Sequence, residues 1–381
     1  MTIPFTVPVV LLLAVIAQAG FAAAQLWAAP YNRLPNRFLA LLLLAIGLWA
    51  LDGFFRVSGI YHQNPRWYFR PIFYSFGFGP LLYFYVRSLI NHAFRFRWRR
   101  HGWHFAPVLG QAALYWWLAL QPYATRLWYW EAVHEPVTYR VEFIGTWVSL
   151  VVYLLLSLGL LRQYARWLPE NFSETSHLRL RWLRTLLLAV ALVSAQWLVE
   201  VVLREAFHRY YQYDYSTWLL AGTVLLIGAA GQRQADMRPV TFVPEAAPAP
   251  PTLLPLPAPP RAAPVIDPAV RERLRRALED EHLYLNPTLT LAELAAHTGL
   301  APRLISFTVN HGFGRSFNDW VNAYRVGAVQ RRLRTPADVA RLSLLGIAFE
   351  CGFNSKTTFN RIFKEQTTQS PSEWLAAAGQ E

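Results

Sequence analysis

From Thr2 to Ala29 the chain carries no formal charge, and apolar runs of the same kind return through its first 235 residues. Such runs constrain a fold more than any other sequence feature. Roughly 30 Å of hydrocarbon is crossed by ~20 helical residues, and a helix satisfies all its backbone groups internally. Seven runs are expected to span, at about 4–28, 38–58, 67–90, 104–121, 142–161, 184–204 and 216–232. Pro71, Gly77, Gly79 and Pro80 interrupt the third, which calls for a kinked helix packed against its neighbours. Ala17-Gln18-Ala19 has the small-residue spacing of a cleavage site. No basic segment precedes it and the apolar run continues, so the first run reads as an uncleaved span. Composition agrees: hydrophobic residues make up 54% and charged ones 15%, against about a quarter charged in an average soluble domain.

The formal charge of +13 is unevenly placed. Residues 1–235 hold 20 arginines and 9 acidic residues, whereas 269–381 hold 14 basic and 11 acidic. With the N-terminus outside, 14 arginines fall on inner segments (33, 37, 87, 95, 97, 99, 100, 162, 166, 179, 181, 184, 233 and 238) and seven on outer ones. The positive-inside rule then puts the C-terminus in the cytoplasm of a multi-pass inner-membrane protein. The run Arg95-Phe96-Arg97-Trp98-Arg99-Arg100 and its counterpart at 178–182 mix arginine with aromatics, which suits anionic headgroups. The single cysteine, Cys351, excludes a disulfide framework and is compatible with a reducing compartment.

Between Asp236 and Pro268 eleven prolines stand among alanines, a composition that holds neither helix nor ladder and reads as an extended tether. Beyond it the pattern is helical. A charged amphipathic helix is expected over Val270–His282. Thr290 and Glu293 form a capping box before a short face of Leu291, Leu294 and Ala295. Gly299 makes a turn, and Ala301–His311 follows with Leu304, Ile305 and Thr308 toward the core and Arg303, Ser306, Phe307 and Asn310 outward. The long helix Phe317–Arg334 leads to a second hairpin. Its first helix turns Leu345, Ala348 and Phe349 inward. Gly352 supplies a turn that needs positive φ. Ser355 caps a helix with Phe359, Ile362 and Phe363 inward and Lys356, Thr357, Asn360, Arg361 and Lys364 outward. Ser370-Pro371-Ser372-Glu373 opens a last helix. A helix-turn-helix whose second helix suits a major groove follows from these residues.

The spacing of Ala348, Gly352, Phe353, Phe359, Arg361, Phe363, Lys364, Ser370 and Pro371 resembles the signature of the AraC/XylS family of bacterial transcription regulators. Thr368 stands where that family usually has glycine, so the cap there is expected to be strained. The membrane part resembles, more weakly, the seven-span regions ahead of some AraC-type domains, through Gly79–Val86 and His104–Pro107. The resemblance implies an all-α protein: a polytopic seven-helix membrane domain (1–235), a linker (236–268) and a cytoplasmic α-helical DNA-binding domain (269–381) with two helix-turn-helix motifs, about 291–311 and 344–365. It also implies two readers. Arg303, Ser306 and Phe307 match base-facing positions in the first, and Lys356, Thr357 and Arg361 those in the second; Asn310, Ser355, Thr358, Asn360 and Lys364 complete the expected DNA-binding set. Phe307 replaces a residue usually polar or basic there. Either it meets a thymine methyl, or the first helix binds with little sequence preference.

The expected function is that of a membrane-tethered one-component regulator binding promoter DNA. Its expected partners are double-stranded DNA, the lipid bilayer, RNA polymerase, a second copy in a homodimer, and a small-molecule or envelope signal. Asp52 and Glu200, acidic residues within apolar runs, are candidates for sensing that signal. Arg56 and Arg204 stand one turn on, and local i,i+4 pairing reads them equally well. His101 and His104 lack a third ligand, so no metal and no cofactor is expected. No nucleophile-base constellation suggests an enzyme. A membrane transporter or receptor with a fused regulatory DNA-binding domain is the alternative, although no repeat of short, broken segments stands out.

Overall fold

A computed structural model describes residues 6–175, 181–207, a few positions between 218 and 242, and 266–378. Its described residues are helical throughout, with one isolated antiparallel bridge, Phe172 to Thr290. They form two compact units, one within 1–163 and 180–244 and the other within 164–179 and 245–381.

The first unit contains α1 (Val7–Ala28), α2 (Arg33–Val57), α3 (Phe78–Ile90), α4 (Ala106–Ala119), most of α5 (Tyr139–Asn171) and α6 (Arg181–Phe207). Leu12, Val15, Ala19 and Ala22 of α1 share one buried face by their spacing of three and four. The small residues let α2 approach closely, since a Cβ on Gly47 would lie 3.0 Å from that of Ala19. Gly79 does the same for α3. A Cβ there would meet the Tyr153 ring at 2.6 Å and the Ser149 carbonyl at 2.8 Å, both on α5. The opposite faces stay apolar: Leu188, Leu192, Val199 and Val202 of α6 are more than half exposed. An apolar surface of that kind is compatible with lipid.

Four described stretches are long and apolar enough to cross a membrane: Val7–Ala28, Arg33–Val57, Tyr123–Asn171 and Trp182–Phe207. These cover the first, second, fifth and sixth of the seven expected spans. The third and fourth differ. Residues 67–77 contain turns and the 3-10 segment Ser75–Gly77, and the helix begins only at Phe78, leaving 13 residues in α3. Pro71 lies in a non-helical stretch over 70–74, Gly77 closes the 3-10 turn that leads into α3, and Pro80 sits in the first turn of α3, where its missing N–H costs nothing. The fourth holds 14 helical residues. Tyr123–Tyr129 and a π-helical stretch, Trp130–Thr138, containing Pro136, precede α5. Most of the seventh expected span and nearly all of the proline-rich tether lie outside the described residues.

The second unit comprises α7 (Pro268–Glu279), α8 (Leu291–Thr298), α9 (Pro302–Phe307), α10 (Phe317–Leu333), α11 (Pro336–Arg341), α12 (Leu344–Glu350), α13 (Lys356–Thr367) and α14 (Pro371–Ala378). Starts are fixed by caps: Asp267 accepts from the Ala269 N–H at 2.8 Å, and Thr290 and Glu293 form the expected box. Ser370 and Glu373 form another. Around α10, Leu294, Ile305, Val321, Val329, Ile347 and Phe363 are fully buried in one core.

Two inward assignments shift by one position. Phe349 is 46% exposed, because Cys351, drawn in beside the Gly352 turn, joins Ile347 and Ala348 as the inner face of α12. Leu304 is 39% exposed, and Ile305, Thr308 and Val309 form the inner face instead. The helix continues there as a π-helical turn, Thr308–Gly312.

Candidate nucleic-acid interface

Gly352 fixes the angle between α12 and α13. Its φ is +91°, and a Cβ would lie 2.4 Å from the Tyr284 carbonyl oxygen and 3.0 Å from the Leu285 Cα. Both the backbone region and the lack of space demand glycine. Ser355 then caps α13 as expected, its side chain accepting from the Thr358 N–H. The Phe359 ring packs at steep angles against those of Phe353 (centroids 5.2 Å apart) and Phe363 (5.6 Å), which seats α13 on the core.

The seat leaves Lys356, Thr357, Asn360, Arg361 and Lys364 exposed. Positions i, i+1, i+4, i+5 and i+8 make one stripe along a helix. It carries both lysines of the chain and an arginine. Arg361 reaches Glu365 at 2.8 Å, both side chains being well exposed. Such a surface i,i+4 pair is worth only a few tenths of a kcal/mol, about 0.3–0.5, so breaking it costs little. Thr358 does not belong to this stripe. It is 4% exposed, on the inner face with Phe359 and Ile362, and its expected DNA contact is withdrawn on that ground. Ser355 is half-buried and occupied as the cap.

In the other helix pair, Gly299 turns at φ +65° between α8 and α9. Arg303 is exposed, whereas Ser306, Phe307 and Asn310 are half-buried. The Phe307 ring lies 4.5 Å from that of His311. This face offers one cation where α13 offers three.

Both pairs rest on α10, which holds a charged group in the core. Arg325 is 1% exposed. Its Nε donates to the Tyr284 carbonyl at 2.8 Å, and its Nη2 donates to the Asn286 carbonyl at 2.7 Å and to the Ser173 Oγ at 3.0 Å. Burial pushes this guanidinium down to about 10, so it remains charged at neutral pH. Ser173, itself fully buried, also donates its N–H to the Leu289 carbonyl at 3.1 Å. Asn318 and Asn322 donate to the Ser173 carbonyl at 2.8 and 3.1 Å. Residues 172–173, which follow α5, are thus built into this second unit, 95 positions ahead of α7 in the chain.

A family model described as a helix-turn-helix domain matches residues 294–377. The C-terminal part of the chain is a helix-turn-helix domain. The match runs from α8 through α14, covering both helix pairs and the helix that joins them. It supports the AraC-type DNA-binding domain expected from the sequence, and with it a regulator of transcription. Comparison with curated proteins and with solved structures gave no match.

The two sensing candidates separate. Asp52 pairs with Arg56, the expected i,i+4 neighbour, and accepts from the Tyr61 hydroxyl at 2.6 Å at the edge of a cavity of about 340 Å³. Glu200 is fully buried in α6 and is not part of that lining. Glu142, also facing the cavity, went unnoticed in the sequence because it opens the fifth apolar run, where an acidic residue reads as a helix-start charge. His101 accepts from the Arg97 N–H at 3.1 Å, and His104 bonds the Tyr153 hydroxyl at 2.6 Å.

Proposed function

We propose that the chain is a membrane-tethered one-component transcription regulator that binds promoter DNA sequence-specifically, with the first unit as its sensor. The observation that carries this reading is the α13 stripe: three exposed cations and two amide or hydroxyl side chains on a helix-turn-helix domain in the same chain as four long apolar helices. Lys356, Thr357 and Arg361 read base edges, and Asn360 and Lys364 hold the flanking backbone. Arg303, Ser306, Phe307 and Asn310 form a second, weaker reader, with Phe307 against a thymine methyl. Two readers on one helix enter successive major grooves about 34 Å apart. A homodimer would double the site, and RNA polymerase is the expected contact of a promoter-bound activator.

The seat of Ser173 supports a route from sensor to reader. A shift at the end of α5 is felt at Arg325, whose guanidinium also holds the carbonyls of Tyr284 and Asn286. The N-terminus is placed outside and the reader in the cytoplasm. A reporter active only in the cytoplasm, fused after Glu381, tests the topology and should be active. A periplasmic C-terminus would overturn the reading, because the helix-turn-helix domain would never meet the chromosome.

A further inference from the structure

The cavity in the first unit is built for a ligand rather than left by poor packing. At about 340 Å³ it has room for a small molecule, near the lower end of the range of roughly 300–1,000 Å³ usual for ligand sites. Its wall is aromatic and ordered: Tyr68 stacks on Tyr61 with centroids 4.4 Å apart, and Phe73 stacks on Tyr115 at 4.5 Å. Trp49, Trp130 and Phe143 add further ring faces.

Two carboxylates, Asp52 and Glu142, open onto this space, and they differ in their partners. Asp52 is neutralised by Arg56. Glu142 accepts a hydrogen bond from a neutral group, the Tyr115 hydroxyl at 2.8 Å, and it appears in none of the described ion pairs. Arg204 also lines the cavity, held by the Tyr139 hydroxyl and lying over the Phe143 ring at 4.1 Å. Formal charges in the lining therefore cancel, so an anion gains nothing from net charge. Ring faces carry the negative end of a quadrupole and attract cations. A carboxylate with only neutral donors does the same.

We infer that the cavity binds a small organic amine in its ammonium form, with the charge at Glu142 and an apolar, arylalkyl-sized body among Tyr68, Phe73 and Trp130. This names the chemistry of the signal and rests on reading the first unit as the sensor. Binding itself is measured without DNA, so the two claims fail separately.

The test uses the full chain in nanodiscs with tritiated phenethylamine as the probe. Saturable binding is expected, displaced by unlabelled phenethylamine and not by phenylacetate or phenethyl alcohol. Glu142→Gln should weaken it about ten- to a hundred-fold, the usual loss when a charged hydrogen-bond partner is neutralised. Glu142→Asp, which keeps the charge, should retain measurable binding and so separates charge from folding. Glu135→Gln, an exposed carboxylate outside the lining, should leave the affinity within twofold. No saturable binding, equal displacement by the acid or the alcohol, or an unchanged affinity in Glu142→Gln would each overturn the inference. If the amine binds as expected and promoter occupancy does not respond, the cavity stands and the sensor reading falls.

Discussion

Ser173→Ala isolates one bond in the seat that ties residues 172–173 to the reader. The substitution removes the Oγ that accepts from Arg325 Nη2 at 3.0 Å and keeps the backbone bonds to Leu289, Asn318 and Asn322. Both side chains are essentially fully buried, so solvent neither screens the bond nor replaces the acceptor. Loss of one hydrogen bond to a buried charged group costs about 1.5–3 kcal/mol. At about 1.4 kcal/mol per factor of ten, the open form of the reader becomes roughly ten- to a hundred-fold more populated. The chain contains its own reporter: Cys351 is its single cysteine and is 1% exposed in the reader core. In the full chain in nanodiscs, labelling of Cys351 by dithiodipyridine should proceed through opening and speed up by that factor. A rate within twofold of wild type would show that the Ser173 contact does not support the reader, and the proposed route from α5 would fall with it.

Two further perturbations use the same thiol. Thr368 sits at φ +64° as the C-cap of α13, where its N–H reaches the Lys364 carbonyl at 2.9 Å. Thr368→Gly should relieve that strain and, after the entropy gained by the unfolded chain, stabilise the reader by about 0.5–1 kcal/mol; faster labelling would contradict it. Acid should act the other way. Hydrogen bonds from Arg332 hold Asp338 below its usual range, the Ser370 cap lowers Glu373, and Arg275 and Arg276 bring Glu272 to about 2. Carboxylates depressed in the folded state stabilise it above their unfolded values and lose that contribution as pH falls through the folded ones. Reader opening, corrected for intrinsic thiol reactivity, should be flat above about pH 5 and rise from about 4.5 toward 2. Asp338→Asn should flatten part of that rise; an identical profile would refute the assignment.

The reader was largely legible in the sequence because local signals dominate it. Caps at Thr290, Ser355 and Ser370 and the glycines at 299 and 352 mark its turns, and each is satisfied in the structure. Errors arose where periodicity alone had to set rotation on short helices. On α12 and α9 a single neighbour, Cys351 or Val309, turned the face by one residue and exposed Phe349 and Leu304. Thr358, which entered the expected DNA-binding set through the resemblance rather than through periodicity, lies beside Phe359 on the inner edge of α13. The first unit was less legible. Hydropathy reports apolar length and is blind to where a helix stops, so the broken run at 67–90 read as one span although helix begins at Phe78. Contacts between residues far apart in sequence left no trace at all. Nothing near Ser173 announces a partner 152 positions away, and Glu142 and Tyr115 meet only through packing.

The central claim is that the exposed face of α13 grips promoter DNA. Genome-wide footprinting of the full chain in cells, wild type against Arg361→Ala at equal membrane abundance, tests it most directly. Wild type should protect discrete promoter sites. The variant, which lacks an exposed side chain that pairs only with Glu365 among the described ion pairs, should lose most of that protection. Retained protection at the same sites in Arg361→Ala, or none in wild type, would contradict the account.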